Sequence, residues 1–131
     1  VYATAFCGDE VEFHVSAVLD FPEDIVAQLT FSWRQFSSQY VEILGEQGEM
    51  RIDPAFNNES QQTGLHLRTQ DSSERFEFQP QDPFLLQLEH LCDCIDGSIP
   101  HCIPPEASIG NMRTIDAIHE SINRGWAVTL A

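Results

Sequence analysis

From Val11 to Phe21 the apolar residues fall on every second position, Val11, Phe13, Val15, Ala17, Leu19 and Phe21, with Glu12, His14, Ser16 and Asp20 between them. A period of two over such a length puts the two sets on opposite faces of a β-strand. Pro22-Glu23-Asp24 supplies a turn. Ile25, Ala27, Leu29, Phe31 and Trp33 then alternate again, against Gln28, Thr30, Ser32 and Arg34. Two such runs about a short Pro/Asp turn predict an antiparallel hairpin. A sheet built on this pattern has one face to bury, and the rest of the chain has to supply its cover.

The following segments continue the sheet and then change character. A third strand is expected over about Gln39–Leu44. Gly45-Glu46-Gln47-Gly48 turns it into a fourth, Glu49–Asp53, with the glycines supplying the positive φ of a tight reversal. Pro54–Gly64 is polar, with Asn57, Asn58, Gln61 and Gln62, and reads as an exposed loop. Leu65–Thr69 and Arg75–Phe78 are two further short strands. At Asp82-Pro83 an N-cap is followed by proline at the first helical position. Phe84, Leu88, Leu91, Cys92 and Ile95 recur at helical spacing, which predicts a core-facing helix ending at Asp96-Gly97. A second helix is expected from about Ala107 to Arg124, with the stripe Ile109, Met112, Ile115, Ile118 and Ile122, and Gly125 at C′. Trp126–Leu130 reads as a closing strand. The order predicts one α+β domain over residues 1–131, an open, mostly antiparallel β-sheet with two helices packed on one face. The other face is not purely polar. Val18, Val26, Val41 and Ile43 fall on it or beside it, and they predict association of copies through that free face.

Charge narrows the partners. The 131 residues hold 21 Asp and Glu against six Arg and no Lys, a formal net charge of −15. That balance disfavours nucleic acid and anionic membrane surfaces, both of which are bound through cations. The missing lysine excludes a Schiff-base, P-loop or acid/base lysine supplied by this chain. No apolar run approaches a membrane span, and no basic leader opens the chain. The low density of Cys7, Cys92, Cys94 and Cys102 suits a reducing, cytoplasmic setting.

Several constellations invite chemistry. His90, Cys92, Cys94, His101 and Cys102 are zinc-type donors, but Cys92 and Cys94 point to nearly opposite sides of a helix, leaving only His90 and Cys94 on one face. Asp116, His119 and Glu120 share a stretch of the second helix and could form a polar network. Arg34 closes an aromatic-rich strand with Phe31, Trp33 and Phe36, where it either binds an anion or caps an aromatic core. No G-x-G-x-x-G or P-loop pattern is present. No catalytic, cofactor-binding or metal-ligating residue is assigned.

Three stretches taken in order carry a resemblance. They are Val41-Glu42-Ile43-Leu44-Gly45-Glu46-Gln47-Gly48-Glu49-Met50-Arg51-Ile52 with Asp53-Pro54-Ala55-Phe56; Asp82-Pro83-Phe84 running into Gln87-Leu88-Glu89-His90-Leu91-Cys92-Asp93-Cys94-Ile95; and Asn111-Met112-Arg113-Thr114-Ile115-Asp116-Ala117-Ile118-His119-Glu120-Ser121 followed by Gly125. Over about residues 1–131 the chain resembles the C-terminal domain of the glucose–fructose oxidoreductase / inositol dehydrogenase / MocA family, a dihydrodipicolinate-reductase-like fold. The resemblance implies a missing N-terminal Rossmann domain that holds NAD or NADP. It also implies a sugar, polyol or related hydroxyl/carbonyl substrate, and a sheet that serves as homo-oligomer interface and cleft wall. The family's glycine motif, its Glu-Lys-Pro lysine and the Asp-x-x-x-His pattern have no counterpart here; the nearest spacing is Glu10 before His14. The chain alone is therefore expected to be inactive. The alternative is a stand-alone, non-catalytic binding or assembly module.

Overall fold

The computed structural model describes every residue except Glu10, Asn57 and Ala131. Glu10, set against His14 above, and Asn57 of the polar loop thus lie outside the described residues. The elements follow as β1 (Tyr2–Cys7), β2 (Glu12–Asp20), β3 (Val26–Ser32), β4 (Val41–Gly45), β5 (Gly48–Asp53), β6 (Thr63–Thr69), β7 (Ser73–Phe78), α1 (Pro83–Ile95) and α2 (Pro105–Arg124). All strand pairings are antiparallel. The class is the expected one, α+β with open antiparallel sheet and two helices. In place of one sheet there are two, ordered β1-β2-β3 and β4-β5-β6-β7. Two compact units result, one from Val1–Phe36 with Cys102–Ala131 and one from Ser37–His101.

In the first unit the expected hairpin forms with Ala17 opposite Leu29 and Leu19 opposite Ala27. Its turn is closed by Phe21 N donating to Ile25 O (2.8 Å). Glu23 and Asp24 both take positive φ, 64° and 59°, a conformation that costs an L-residue and that their sequence did not signal. β1, a short run with Ala3 and Ala5 alternating against Tyr2, Thr4 and Phe6, adds to the hairpin with Ala3 opposite Ala17.

Helix α2 packs on β1 across a seam of small residues. Ala3, Ala17, Leu19 and Ala117 are buried, and Ile118 and Ile122 pack against that cluster. With alanine on both sides the backbones come close enough for the hydroxyl of Ser121, the most buried side chain, to work as a double connector. Ser121 Oγ accepts from Ala3 N (2.9 Å) and donates to Trp126 O (2.8 Å). Gly125, at φ 75°, ends the helix with its N–H on Ser121 O (2.8 Å), as glycine at C′ should. Beyond it Trp126–Leu130 is not a ladder strand. Its link to the sheet is a reciprocal pair, Val1 N to Val128 O and Val128 N to Val1 O, both 2.8 Å. The tight turn and the bond to Ser121 leave too little extended chain for more.

In the second unit β4 to β7 form a meander. Two rows of directly opposed residues, Val41–Ile52–Leu65–Phe76 and Ile43–Met50–Leu67–Glu74, share one face. Neither Gly45 nor Gly48 has positive φ, so the reason given above for these glycines fails. Gly48 is required for space instead, because a Cβ there would collide with the Arg68 carbonyl of β6. Strand β6 starts at Thr63, inside the expected loop, and Thr63 and Gly64 are buried. Helix α1 starts as expected: Asp82 Oδ1 accepts from Phe84 N (2.9 Å) and Leu85 N (3.2 Å). Its burial does not follow. None of its residues is buried, and Phe84, Leu88, Leu91, Cys92 and Ile95 are all exposed. Helical spacing identifies a face; it does not identify what covers the face.

Replacing Ser121 by Ala leaves the Ala3 N–H and the Trp126 carbonyl unpaired in a buried seam. Chemical denaturation should register a loss of about 2 kcal/mol. Gly48→Ala should lower the melting temperature more than Gly45→Ala, whose added Cβ meets only Gly48 O at 3.7 Å.

Candidate functional site

The His/Cys group is only partly assembled. His90 Nε2 lies 3.5 Å from Cys94 Sγ, one helical turn apart, and the His90 and His101 rings are 5.2 Å apart. Cys92 points elsewhere on α1, as its spacing requires. Among the described residues no group of three or more His, Cys, Asp or Glu could hold a metal ion.

The polar group on α2 does not form a network. His119 Nδ1 faces Glu12 Oε1 of β2 at 3.6 Å, while Glu120 pairs with Arg124 at 2.8 Å. His119 and Glu120 thus pair with residues outside the expected trio. Arg34 neither caps an aromatic core nor projects alone. Its guanidinium sits 3.9 Å above the Phe13 ring, which stacks on Phe6 with centroids 6.3 Å apart. The aromatic residues around it are not core: Trp33 is 88% and Phe36 94% exposed.

The sheets themselves present three distinct surfaces. On the first sheet, the face away from α2 carries Tyr2, Val18 and Gln28 in one row and Thr4, Ser16 and Thr30 in the next. They border an open concavity of about 300 Å³ with a hydroxyl and amide floor. On the second sheet, the apolar rows named above are uncovered: Ile43 is 53% and Phe76 45% exposed. Ile43, Met50 and Leu67 border an open concavity of about 500 Å³ beside the Gly45–Gly48 turn. The opposite face of that sheet is a charge ladder. Arg51 stacks on Tyr40 (4.0 Å), donates to Asp53 Oδ2 (3.0 Å) and faces Glu42 (3.6 Å); Arg68 pairs with Glu49 (2.9 Å) and Arg75 with Glu77 (3.1 Å). The hydrogen bond to Asp53 raises the Arg51 pKa above its already high ordinary value, so this guanidinium is a fixed cation.

Of the residues read from sequence as a free face, Val18, Val26 and Ile43 are indeed exposed. Their companions Met50, Ile52, Leu65, Leu67 and Phe76 were missed. The signal was present in the alternation of β5 to β7, but only the register shows that these residues line up with Val41 and Ile43. Nothing among the described residues joins a nucleophile, a base and an orienting group. Neither helix begins on a glycine turn after a strand; their caps are Asp82-Pro83 and Pro104-Pro105. The residues present do not fit a dinucleotide. What the chain offers is surfaces.

Comparison with known proteins gives the family and the fold. A family model described as oxidoreductase family, C-terminal alpha/beta domain matches residues 2–130. D-xylose 1-dehydrogenase (NADP(+)) 2 of Haloferax volcanii is 30% identical over 135 residues, covering 99% of this chain and 41% of that protein. The D-xylose 1-dehydrogenase [NADP(+)] of Haloarcula marismortui is 23% identical, over 87% of this chain and 31% of its own length. Among solved structures, aldose-aldose oxidoreductase from Caulobacter crescentus, complexed with glycerol, superposes with a TM-score of 0.83 at 23% identity, over 98% of this chain and 40% of that one. At that identity the likeness speaks for the fold alone. The chain spans about two fifths or less of each of these proteins. No helix among the described residues is long and apolar enough to cross a membrane.

Titrating the chain with Co(II) should give no thiolate-to-metal absorption band, since no three such donors converge among the described residues. A saturable band at one equivalent would reverse that assignment.

Proposed function

The chain belongs to the glucose–fructose oxidoreductase / inositol dehydrogenase / MocA family of oxidoreductases as its C-terminal α/β domain, and we propose that residues 1–131 act as the substrate and oligomerisation domain of an NAD(P)-dependent sugar or polyol dehydrogenase. The reading rests chiefly on one observation. Two antiparallel sheets carry broad, chemically distinct faces while no described residues form a catalytic constellation. Such a chain contributes walls and contacts, and the reaction centre lies with another domain. The two relatives from Haloferax volcanii and Haloarcula marismortui, both NADP(+)-linked D-xylose dehydrogenases, support an aldose substrate.

The chain's own groups divide the work. The polar face of the first sheet, with Thr4, Ser16, Gln28 and Thr30, suits hydroxyl-rich ligands, because each offers both donor and acceptor atoms. The apolar rows of the second sheet suit a matching apolar surface on another copy; half-exposed Ile43 and Phe76 gain most from cover. The dinucleotide, which supplies or accepts hydride, is held by an N-terminal Rossmann domain. Its phosphates find no glycine turn and no lysine in this chain. The whole protein works in the cytoplasm.

Fluorescence titration of this chain with NADPH should show no saturable binding, and mixing it with NADP and D-xylose should give no turnover. Stoichiometric NADPH binding would sink the division of labour. Light scattering should find self-association that Ile43→Asp with Phe76→Asp weakens by about tenfold or more. A strict monomer at high concentration would leave only the cleft-wall role. A start codon immediately upstream of Val1, with no dinucleotide-binding segment encoded before it, would favour the stand-alone module.

A further inference from the structure

The arginines are concentrated and the carboxylates are not. Arg51, Arg68 and Arg75 all stand on the charged face of the second sheet, each against an acid. Arg124 pairs with Glu120, and Arg34 is stacked on Phe13. Two long stretches of the chain carry acids and no arginine. Between Val1 and Trp33 it carries Asp9, Glu10, Glu12, Asp20, Glu23 and Asp24 and no arginine; between Phe76 and Met112 it carries Glu77, Asp82, Glu89, Asp93, Asp96 and Glu106 and again none.

Helix α1 lies wholly within the second of these stretches. Glu89 and Asp93 are four apart, a like-charge pair that opposes the helix. Asp93 and the C-cap Asp96 sit at the negative end of the helix dipole, and the last turn holds no basic residue, the reverse of the favourable arrangement. None of the residues of α1 is buried, so apolar packing offsets little of this repulsion. In the first unit the buried apolar residues are Ala3, Ala17, Leu19 and Ala117, three of them alanine, a small core for so acidic a chain.

We propose that this chain is built for a strongly saline solvent: screening by dissolved cations at about molar concentration is a condition of its compact state, and α1 is the element most dependent on it. The Debye length falls from about 10 Å at 0.1 M to about 3 Å at 1 M. At the higher value Glu89, Asp93 and Asp96 no longer sense one another across a helical turn, whereas the close arginine pairs of the second sheet persist. Self-repulsion of a net charge of −15 weakens over the same range. The proposal rests on the charge pattern alone and is independent of the enzymatic reading.

Circular dichroism of the chain across a KCl series tests it. From 0.1 to 2 M KCl the helical signal should grow and the melting temperature should rise by at least about 10 °C. Asp93→Arg combined with Glu89→Gln should raise the melting temperature at 0.1 M and flatten the dependence on salt. Exchanging Arg75→Gln, on the charge-balanced ladder, should leave the slope nearly unchanged. Sucrose strengthens burial without screening and should give much less than KCl. A melting temperature equal at both salt concentrations, an equal rise in sucrose, an unaltered slope in the α1 double variant, or a chain unfolded throughout the series would each overturn the proposal.

Discussion

One hydroxyl group ties the first unit together. Ser121 sits where a helix, an edge strand and a chain reversal meet, and it satisfies a backbone donor of one and a backbone acceptor of another. The alanines at positions 3, 17 and 117 are its precondition, since larger side chains would push α2 away from β1 and open the hydrogen bonds. The bond also protects β1. An edge strand exposes unpaired backbone groups, and here Ser121 takes Ala3 N while the Val1–Val128 pair takes the next positions along the same edge. The free face of the sheet is left uncovered, with hydroxyl and amide groups beside exposed Val18 and Val26.

The second unit solves a different problem. Its sheet separates chemistry by face, with apolar rows on one side and a Glu/Arg ladder on the other. The ladder gives the meander register-specific pairing without a buried core: Glu42 opposes Arg51 and Glu49 opposes Arg68 directly across the strands, which is where opposite charges help. The apolar side is thereby kept in line as a continuous surface. Membership of an oxidoreductase family in which this domain is one part of a longer protein gives such a surface a purpose that a self-sufficient globule would not have.

Local chemistry was legible in the sequence and burial was not. Asp82 before Pro83, Gly125 after Arg124 and the alternation about Pro22 each act over a few residues, and each formed where expected. The closing strand did not form, because Gly125 and Ser121 O set the chain's direction after the helix. The stripe on α1 has the right period for a core, yet its residues are exposed. Gly48 was expected for its φ and is needed for its missing Cβ, a constraint that comes from β6, some twenty residues away. Ser121 stands beside Ile122 of the apolar stripe, and its role depends on Ala3, at the other end of the chain. The order of strands and helices gave the fold class, and the resemblance to the family agrees with it because it compares whole patterns and not single positions.

The partners of the Ser121 hydrogen bond also set an order of events. The second unit is continuous in sequence, Ser37–His101, whereas the first is completed only by Cys102 and the residues beyond it. On a growing chain β1, β2 and β3 emerge first and wait, with the Ala/Leu face of their sheet unsheltered, while the whole second unit is synthesised and can close on itself. The contact that seals the first unit spans 118 residues, and long-range contacts of this kind are the slow ones. This sheet therefore passes its most vulnerable interval during its own translation, and its late partner, α2, is the helix that ends it.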